Sequence, residues 1–278
     1  MNAIDTTLIL FFGSLLAGLL GALSGLGGGI VVVPLLVLGF GVDIHYAIGS
    51  SLIAVIATST ASSCAYVKEG YTNVRVGILL ETATTVGAVS GVAFASQLPA
   101  FILSLIFGIF LLYAAASSLA TQQQSQKNFP SDSLSLALRL SSSYPTDHGF
   151  QCYPVHHIPL GYLIMFIAGA LSGILGIGSG ALKVLALDRV MGLPFKVSTT
   201  TSNFMIGVTA AASAGIYLKL GYLDPVLTAP IVLGVTCGSF VGARLLPVLT
   251  TRTLRRLFAC LVMVIGLQMI WQIFSKGI

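Results

Sequence analysis

Eight apolar stretches follow one another along this chain, each near or beyond the roughly 20 residues that carry a helix across a bilayer. They run Leu8–Phe40, Tyr46–Tyr66, Val76–Ser96, Phe101–Ala120, Leu160–Leu187, Val197–Leu218, Val226–Leu246 and Leu254–Phe274. Only 8% of the residues are charged and 56% are hydrophobic, whereas soluble domains carry roughly 25% charge. In hydrocarbon every backbone N–H and C=O must be satisfied within the protein, and consecutive helices do this. The chain therefore reads as an all-α polytopic membrane protein. The first stretch has no basic residue before it and outruns the apolar core of a secretory signal, so the amino terminus reads as retained. Cys64, Cys152, Cys237 and Cys260 show no CxxC spacing, which argues against a disulfide framework or a metal site. The net charge of +5 comes from single basic residues at segment ends, a pattern of membrane topology and not of nucleic-acid binding.

The second constraint is a repeat. Tyr66, Lys68, Gly70 and Tyr71 form Y-x-K-x-G-Y, and the pattern returns as Tyr217, Lys219, Gly221 and Tyr222, an offset of 217 − 66 = 151. The same offset carries Gly25, Gly27, Gly29, Gly87 and Gly91 onto Gly176, Gly178, Gly180, Gly238 and Gly242 without a gap. Residues 1–120 and 159–278 are thus two copies of one membrane unit, separated by a polar linker, 121–158, that includes Gln122–Gln124, Ser141–Ser143, His156 and His157. The first segment of each unit is long and interrupted by glycine, so each unit is expected to contain a broken helix or hairpin plus three transmembrane helices. Charge placement sets their orientation, because cytoplasmic loops collect lysine and arginine. Lys68 and Arg75 flank one loop of the first unit, whereas Arg189, Lys196, Arg244, Arg252, Arg255 and Arg256 gather at non-equivalent loops of the second. Equivalent loops then face opposite sides, which predicts two inverted-topology repeats, both termini outside and the linker cytoplasmic. Interrupted helices in inverted repeats are a plan of secondary transporters.

Two glycine clusters are the first candidates for a substrate site. Ser24–Gly29 reads S-G-L-G-G-G and supplies Gly27, Gly28 and Gly29; Gly176–Gly180 reads G-I-G-S-G and supplies Gly178, Ser179 and Gly180. A helix break inside the membrane frees N–H groups, and an anion satisfies them while meeting the favourable end of the helix dipole. Any single glycine is explained as well by tight helix crossing, but the matched clusters together favour a site. Ser50 and Ser51 fall opposite Thr201 and Ser202, with Asn203 following; hydroxyls and an amide ligate an oxyanion without adding charge. Placed at the starts of the second helices, they also offer backbone N–H groups, with helix capping and interhelical hydrogen bonds as the competing roles. Asn203 needs a polar partner inside an apolar helix. Lys183, whose counterpart is Val32, has three open roles: neutralising the substrate, pairing with Asp188, or snorkelling to the interface. Glu81, whose counterpart is Val232, is either a proton-coupling carboxylate or the partner of Arg75 in an interfacial salt bridge, and its closeness to Arg75 favours the latter. His156 and His157 read as residues of a solvated loop, with loose metal binding as the competing role, and Trp271 as an interfacial anchor. No GxSxG, P-loop or HExxH motif is present, so neither an enzyme nor an ATP-driven pump is expected, and no cofactor or metal.

L-S-G-x-L-G-I-G-S-G in the second half, G-x-G-G-G followed by Pro34 in the first, and the paired Y-x-K-x-G-Y motifs together resemble the sulfite exporter TauE/SafE-like family over nearly the whole chain. The resemblance implies a bacterial inner-membrane transporter of sulfite or an organosulfonate such as sulfoacetate, commonly by export. Two departures bear on the substrate: the linker is long, and Ser179 stands where that family's second cluster has glycine. The expected function is a secondary transporter working by alternating access on a small anion, coupled to H+ or Na+; a passive anion channel and a scaffold or sensor acting through the linker are the alternatives.

Overall fold

Glycine ends the first helix before its hydrophobic segment is finished. The computed structural model describes residues 3–25, 27–120, 133–138, 140–146, 149–245, 259–260 and 262–271. In it α1 (Ala3–Ser24) stops at Gly25, whose φ of 74° closes the helix, and the chain reverses through Gly27, also at 74°, into α2 (Gly29–Gly39). The last five residues of α2, Leu35–Gly39, form a π turn directly after Pro34, which lacks the N–H a regular turn needs. The second half repeats this: α7 (Ile158–Leu175) stops at Gly176, the chain turns through Gly178 and Ser179, and α8 (Gly180–Leu185) runs into a π turn at Ala186–Val190. Leu185 stands where Pro34 does, so proline is not required for that turn.

The remaining long helices are α3 (Ile44–Lys68), α4 (Val74–Ala95) and α5 (Ala100–Ala120), then α9 (Phe195–Lys219), α10 (Pro225–Leu245) and α11 (Val262–Trp271). Adding 151 to both ends of α3 gives both ends of α9. Among the described residues five helices are long and apolar enough to cross a membrane: α1 from Asp5, α3, α4, α7 and α10. α9 matches α3 in length but carries Ser198–Asn203, a run of six polar residues, all fully buried. Large apolar side chains such as Phe12, Ile78, Phe94, Leu163 and Leu233 point outward, as lipid contact requires. The protein is a multi-pass helical membrane protein. Arg252, Arg255, Arg256 and Gln122–Gln124 lie outside the described residues.

Glycine lets these helices touch backbone to backbone. A Cβ on Gly238 would lie 1.9 Å from Leu15 O, and one on its counterpart Gly87 would lie 2.1 Å from Phe166 O. Phe11, Leu15 and Leu19 of α1 meet Gly234, Gly238 and Gly242 in that order, so α1 and α10 run parallel; Phe166 and Ala170 of α7 meet Gly87 and Gly91 likewise. α9 begins at the α3–α4 turn, where Thr200 Oγ1 donates to Tyr71 O at 2.9 Å. It ends beside the start of α3, where the following turn stacks Tyr222 on His45 with ring centroids 5.1 Å apart. The counterpart helices α3 and α9 are therefore antiparallel. α2 folds back along α1, with Gly28 against Gly21 and Leu35 against Gly13, so each broken segment enters and leaves at one end of the bundle.

The Y-x-K-x-G-Y motifs are helix C-caps. Gly70 at φ 78° lets Tyr71 N donate to Tyr66 O and Gly70 N to Val67 O, the paired bonds of a Schellman motif, and Gly221 at 79° repeats them with Tyr222, Tyr217 and Leu218. Between the halves lie α6 (Ser133–Ala137) and a hairpin of β1 (Ser142–Thr146) with β2 (Gly149–Tyr153), and the hairpin packs on the α4 and α9 ends. Asn73 Nδ2 donates to both Leu140 O and the Tyr153 hydroxyl, at 2.9 and 3.0 Å. Burial pushes that hydroxyl's pKa above its ordinary value. His156 is also buried, its N–H bonded to Met191 O, which corrects the expectation of a solvated loop. It sits where the chain must cross α8's π turn to begin α7. The four cysteines are free and exposed.

Gly70 and Gly221 have open space where a Cβ would go, so alanine there should cost only the left-handed backbone penalty, roughly 1–2 kcal/mol. Gly87→Ala and Gly238→Ala must instead push two backbones apart. Thermal unfolding in detergent should rank both well below Gly70→Ala and Gly221→Ala.

Candidate functional site

The two broken segments meet at their tips. Gly27 and Gly178, equivalent by the offset, face the same pair of side chains, Val55 and Ile206, and these too are equivalent. Val55 lies midway along α3 and Ile206 midway along α9. A Cβ on Gly29 would be 2.7 Å from Val55 and 3.1 Å from Gly176 O, so at Gly29 only glycine allows this approach. The exposed carbonyls of each tip are held by the other half: Ser51 Oγ donates to Gly176 O at 2.6 Å, and Ser202 Oγ to Gly25 O at 2.9 Å. The capping tyrosines reach the same segments, Tyr66 to Ala22 O at 3.0 Å and Tyr217 to Gly173 O at 3.5 Å.

Several of the residues singled out in the sequence converge here. Gly27, Gly178 and Ser179 form the turns, Gly28 caps α2, and Gly29 and Gly180 are the first residues of α2 and α8. Ser202 also approaches Gly180 O at 3.5 Å, and Asn203 Nδ2 donates to Ala22 O at 3.0 Å. Ser179 is 1% exposed and has a positive φ of 47°; among the described residues its hydroxyl meets no partner, and Asn203 Oδ1 and Thr199 Oγ1 are likewise buried and unbonded. Such atoms are costly in an apolar interior.

Other candidates turn away from the tips. Ser50 Oγ meets Thr228 Oγ1 on α10 at 3.1 Å, and Thr201 Oγ1 accepts from Asn73 N at 3.0 Å. Ser50, Ser51, Thr201, Ser202 and Asn203 lie in the second and third turns of α3 and α9, not at their starts, so their N–H groups belong to the helices. Lys183 is fully buried, so it does not snorkel. Its Nζ lies 2.5 Å from Thr209 Oγ1 and 3.7 Å from Glu81 Oε2. Thr209 Oγ1 also bonds Glu81 Oε1 at 2.6 Å. Glu81, 8% exposed, is therefore the ion-pair partner of Lys183 inside the bundle, in place of the interfacial bridge to Arg75. The spacing along α4 suggested Arg75, but α8 delivers the Lys183 ammonium to the carboxylate.

Thr209 and Thr58 were not recognised in the sequence. Thr58 Oγ1 lies 3.1 Å from where a Gly28 Cβ would be. They are equivalent by the offset, 209 − 151 = 58, and that match was the available signal. On α9 the residues Ser202, Ile206 and Thr209 share one face at helical spacing, and this face runs from the tips to Lys183. Among the described residues no cluster of histidine, cysteine or carboxylate has metal-holding geometry.

The family model for the sulfite exporter TauE/SafE matches residues 10–269. The chain is 28% identical over 269 residues to the probable membrane transporter protein YunE of Bacillus subtilis (strain 168), covering 94% of this chain and 96% of that protein. It is 27% identical to the probable membrane transporter protein YdhB of the same organism, covering 85% and 87%. The probable membrane transporter protein MJ0441 of Methanocaldococcus jannaschii is 24% identical, with 92% of each chain covered. No solved structure matches. With the match running across the glycine tips of both halves, this chain belongs to the sulfite exporter TauE/SafE family and is a membrane transporter.

Proposed function

We propose that the protein is a secondary transporter that carries a small sulfur-containing anion, sulfite or an organosulfonate such as sulfoacetate, by alternating access, with the tips of the two broken hairpins as its substrate site. The observation that carries this reading is their meeting point: two glycine turns, each stabilised by a serine of the other repeat, against the midpoints of α3 and α9. α2 comprises six residues and a five-residue π turn, roughly 16 Å of helix, about half the hydrocarbon thickness. That short returning arm, with its tip against the midpoints of α3 and α9, supports a site near the midplane. Antiparallel α3 and α9 support inverted repeats, whose two near-equivalent arrangements are what alternating access requires. Ser179, with its free hydroxyl at the start of α8, and Lys183 one turn later supply a hydrogen bond and a positive charge for the anion.

The bundle's charge distribution supports an orientation in the cell inner membrane. Lys68 and Arg75 flank the turn against which α9 begins, Lys196 sits over the Tyr71 ring there at 6.0 Å, and Arg244 ends α10, which runs parallel to α3. The linker hairpin covers the same end. We assign that end to the cytoplasm and the start of α1 to the outside. Export is the direction favoured by the family's description.

Protein reconstituted in liposomes should carry labelled sulfite or sulfoacetate with saturating kinetics. No flux of any anion in a panel of sulfite, thiosulfate, sulfate, sulfoacetate and taurine would remove the proposal, and flux that never saturates would replace it with a channel. Ser179→Ala should weaken affinity roughly 3- to 10-fold, the worth of one hydrogen bond. Lys183→Gln should weaken it roughly 10- to 100-fold. The double variant Lys183→Gln/Glu81→Gln avoids stranding a buried carboxylate, and it should show the same loss in folded protein.

A further inference from the structure

The charge balance around Lys183 sets a condition on how an anion enters, given that the tips are the substrate site. Lys183 and Glu81 are both buried and form an ion pair, bridged by Thr209, which touches both at 2.5 and 2.6 Å. The pair is already neutral. Adding an anion beside it would leave a net negative charge in a water-poor interior, and burying an uncompensated charge is strongly unfavourable. One carboxylate oxygen is held loosely: Oε1 accepts from Thr209 and from Thr85, whereas Oε2, buried, has no hydrogen-bond partner among the described residues and lies 3.7 Å from the ammonium.

Charges on the elements packed around the pair are few. α7 carries only Tyr162, whose hydroxyl meets Thr82 Oγ1. α9 carries Lys196 and Lys219 at its ends and Tyr217 near its last turn; α4 carries Arg75 in its first turn; the π turn after α8 carries Asp188 and Arg189. Within one helical turn of the pair, its own two members are the ionisable groups on these elements. Neither recurs in the other repeat, where Val32 and Val232 occupy the equivalent positions.

We propose that Glu81 is the proton-coupling group: an anion enters only as Glu81 takes up one proton, which releases the Lys183 ammonium from the carboxylate to pair with the substrate. Before loading, ammonium and carboxylate sum to zero; after loading, ammonium, carboxylic acid and a monoanion again sum to zero, and the proton arrives from the aqueous side that delivers the anion. Thr209, hydrogen-bonded to both groups, keeps the acid in place once its charge is gone, because a hydroxyl donates to a carboxylate and accepts from a carboxylic acid. On release the proton and the anion leave together, and the ion pair closes again. Export is then driven by the anion's own accumulation inside the cell, weighed against the pH gradient.

The test uses the full chain in proteoliposomes with methanesulfonate, a monoanion whose charge is constant between about pH 5 and 8. Binding to wild-type protein should tighten about tenfold for each unit of acidification over the range in which one proton is taken up per anion. An unbuffered suspension should become alkaline by one proton per anion moved. Anion addition should bring up the infrared band of a protonated carboxylic acid, and Glu81→Gln should abolish that band. Glu81→Gln should also bind the anion with the same affinity at every pH. If wild-type binding and flux are independent of pH, or follow Na+ instead, the coupling proposal is overturned while the transporter reading stands. If neither methanesulfonate nor any anion of the wider panel binds, both fall. Should Glu81→Gln fail to fold, the wild-type proton count alone decides, and a count of zero overturns the proposal.

Discussion

Breaking a helix inside a hydrophobic bundle strands backbone carbonyls and N–H groups where water cannot reach them, and the structure is arranged around answering that demand. Gly25 and Gly176 end their helices with carbonyls exposed in the interior, and Ser202 and Ser51 from the opposite repeats donate to them. Each of these two carbonyls is thus held by the other repeat. The two units are therefore obligate partners: the serine that makes one hairpin tolerable sits in the second turn of the other unit's long helix. Tyr66 and Tyr217 add bonds to the helix before each tip, and the same two tyrosines accept the C-cap bonds at the ends of α3 and α9. One short motif thus ends a helix and anchors a hairpin.

The duplication supplies a near-symmetric frame, and the residues proposed to handle the substrate lie where the symmetry breaks. Gly27 and Gly178, Val55 and Ile206, Ser51 and Ser202 occupy equivalent positions with equivalent contacts. Against that background Ser179 replaces a glycine, Lys183 replaces a valine, and Glu81 faces a position that is valine in the other copy. A buried ion pair is weak evidence for stability, since apolar residues of similar volume serve packing as well or better. Its presence in one copy only, beside the tips, fits a role in handling charge.

Much of the fold was readable from residue order. Apolar length identified the membrane, and the Y-x-K-x-G-Y pair revealed the duplication, because a C-cap needs glycine at one position and leaves a recognisable spacing. Glycine strings marked the breaks, since only glycine adopts φ near 74° at no cost and permits backbone approach. The linker was harder: its polar composition concealed a hairpin anchored through Asn73 and Tyr153, a contact between residues eighty positions apart. The offset could align Thr58 with Thr209, but hydroxyls in a membrane helix usually bond their own backbone, and nothing local distinguishes those that face a site.

What the sequence determined by itself, then, was the solvent, the two-fold repeat and the location of the helix breaks, all consequences of local chemistry: hydropathy, turn stereochemistry and periodicity. What the tertiary structure decided was pairing. Glu81 lies near Arg75 along the chain, yet its partner is Lys183, more than a hundred residues away, because α4 and α8 both pack on α9 and bring the two charges to Thr209. In an apolar interior a charge is governed by the nearest opposite charge in space, and sequence distance does not report that.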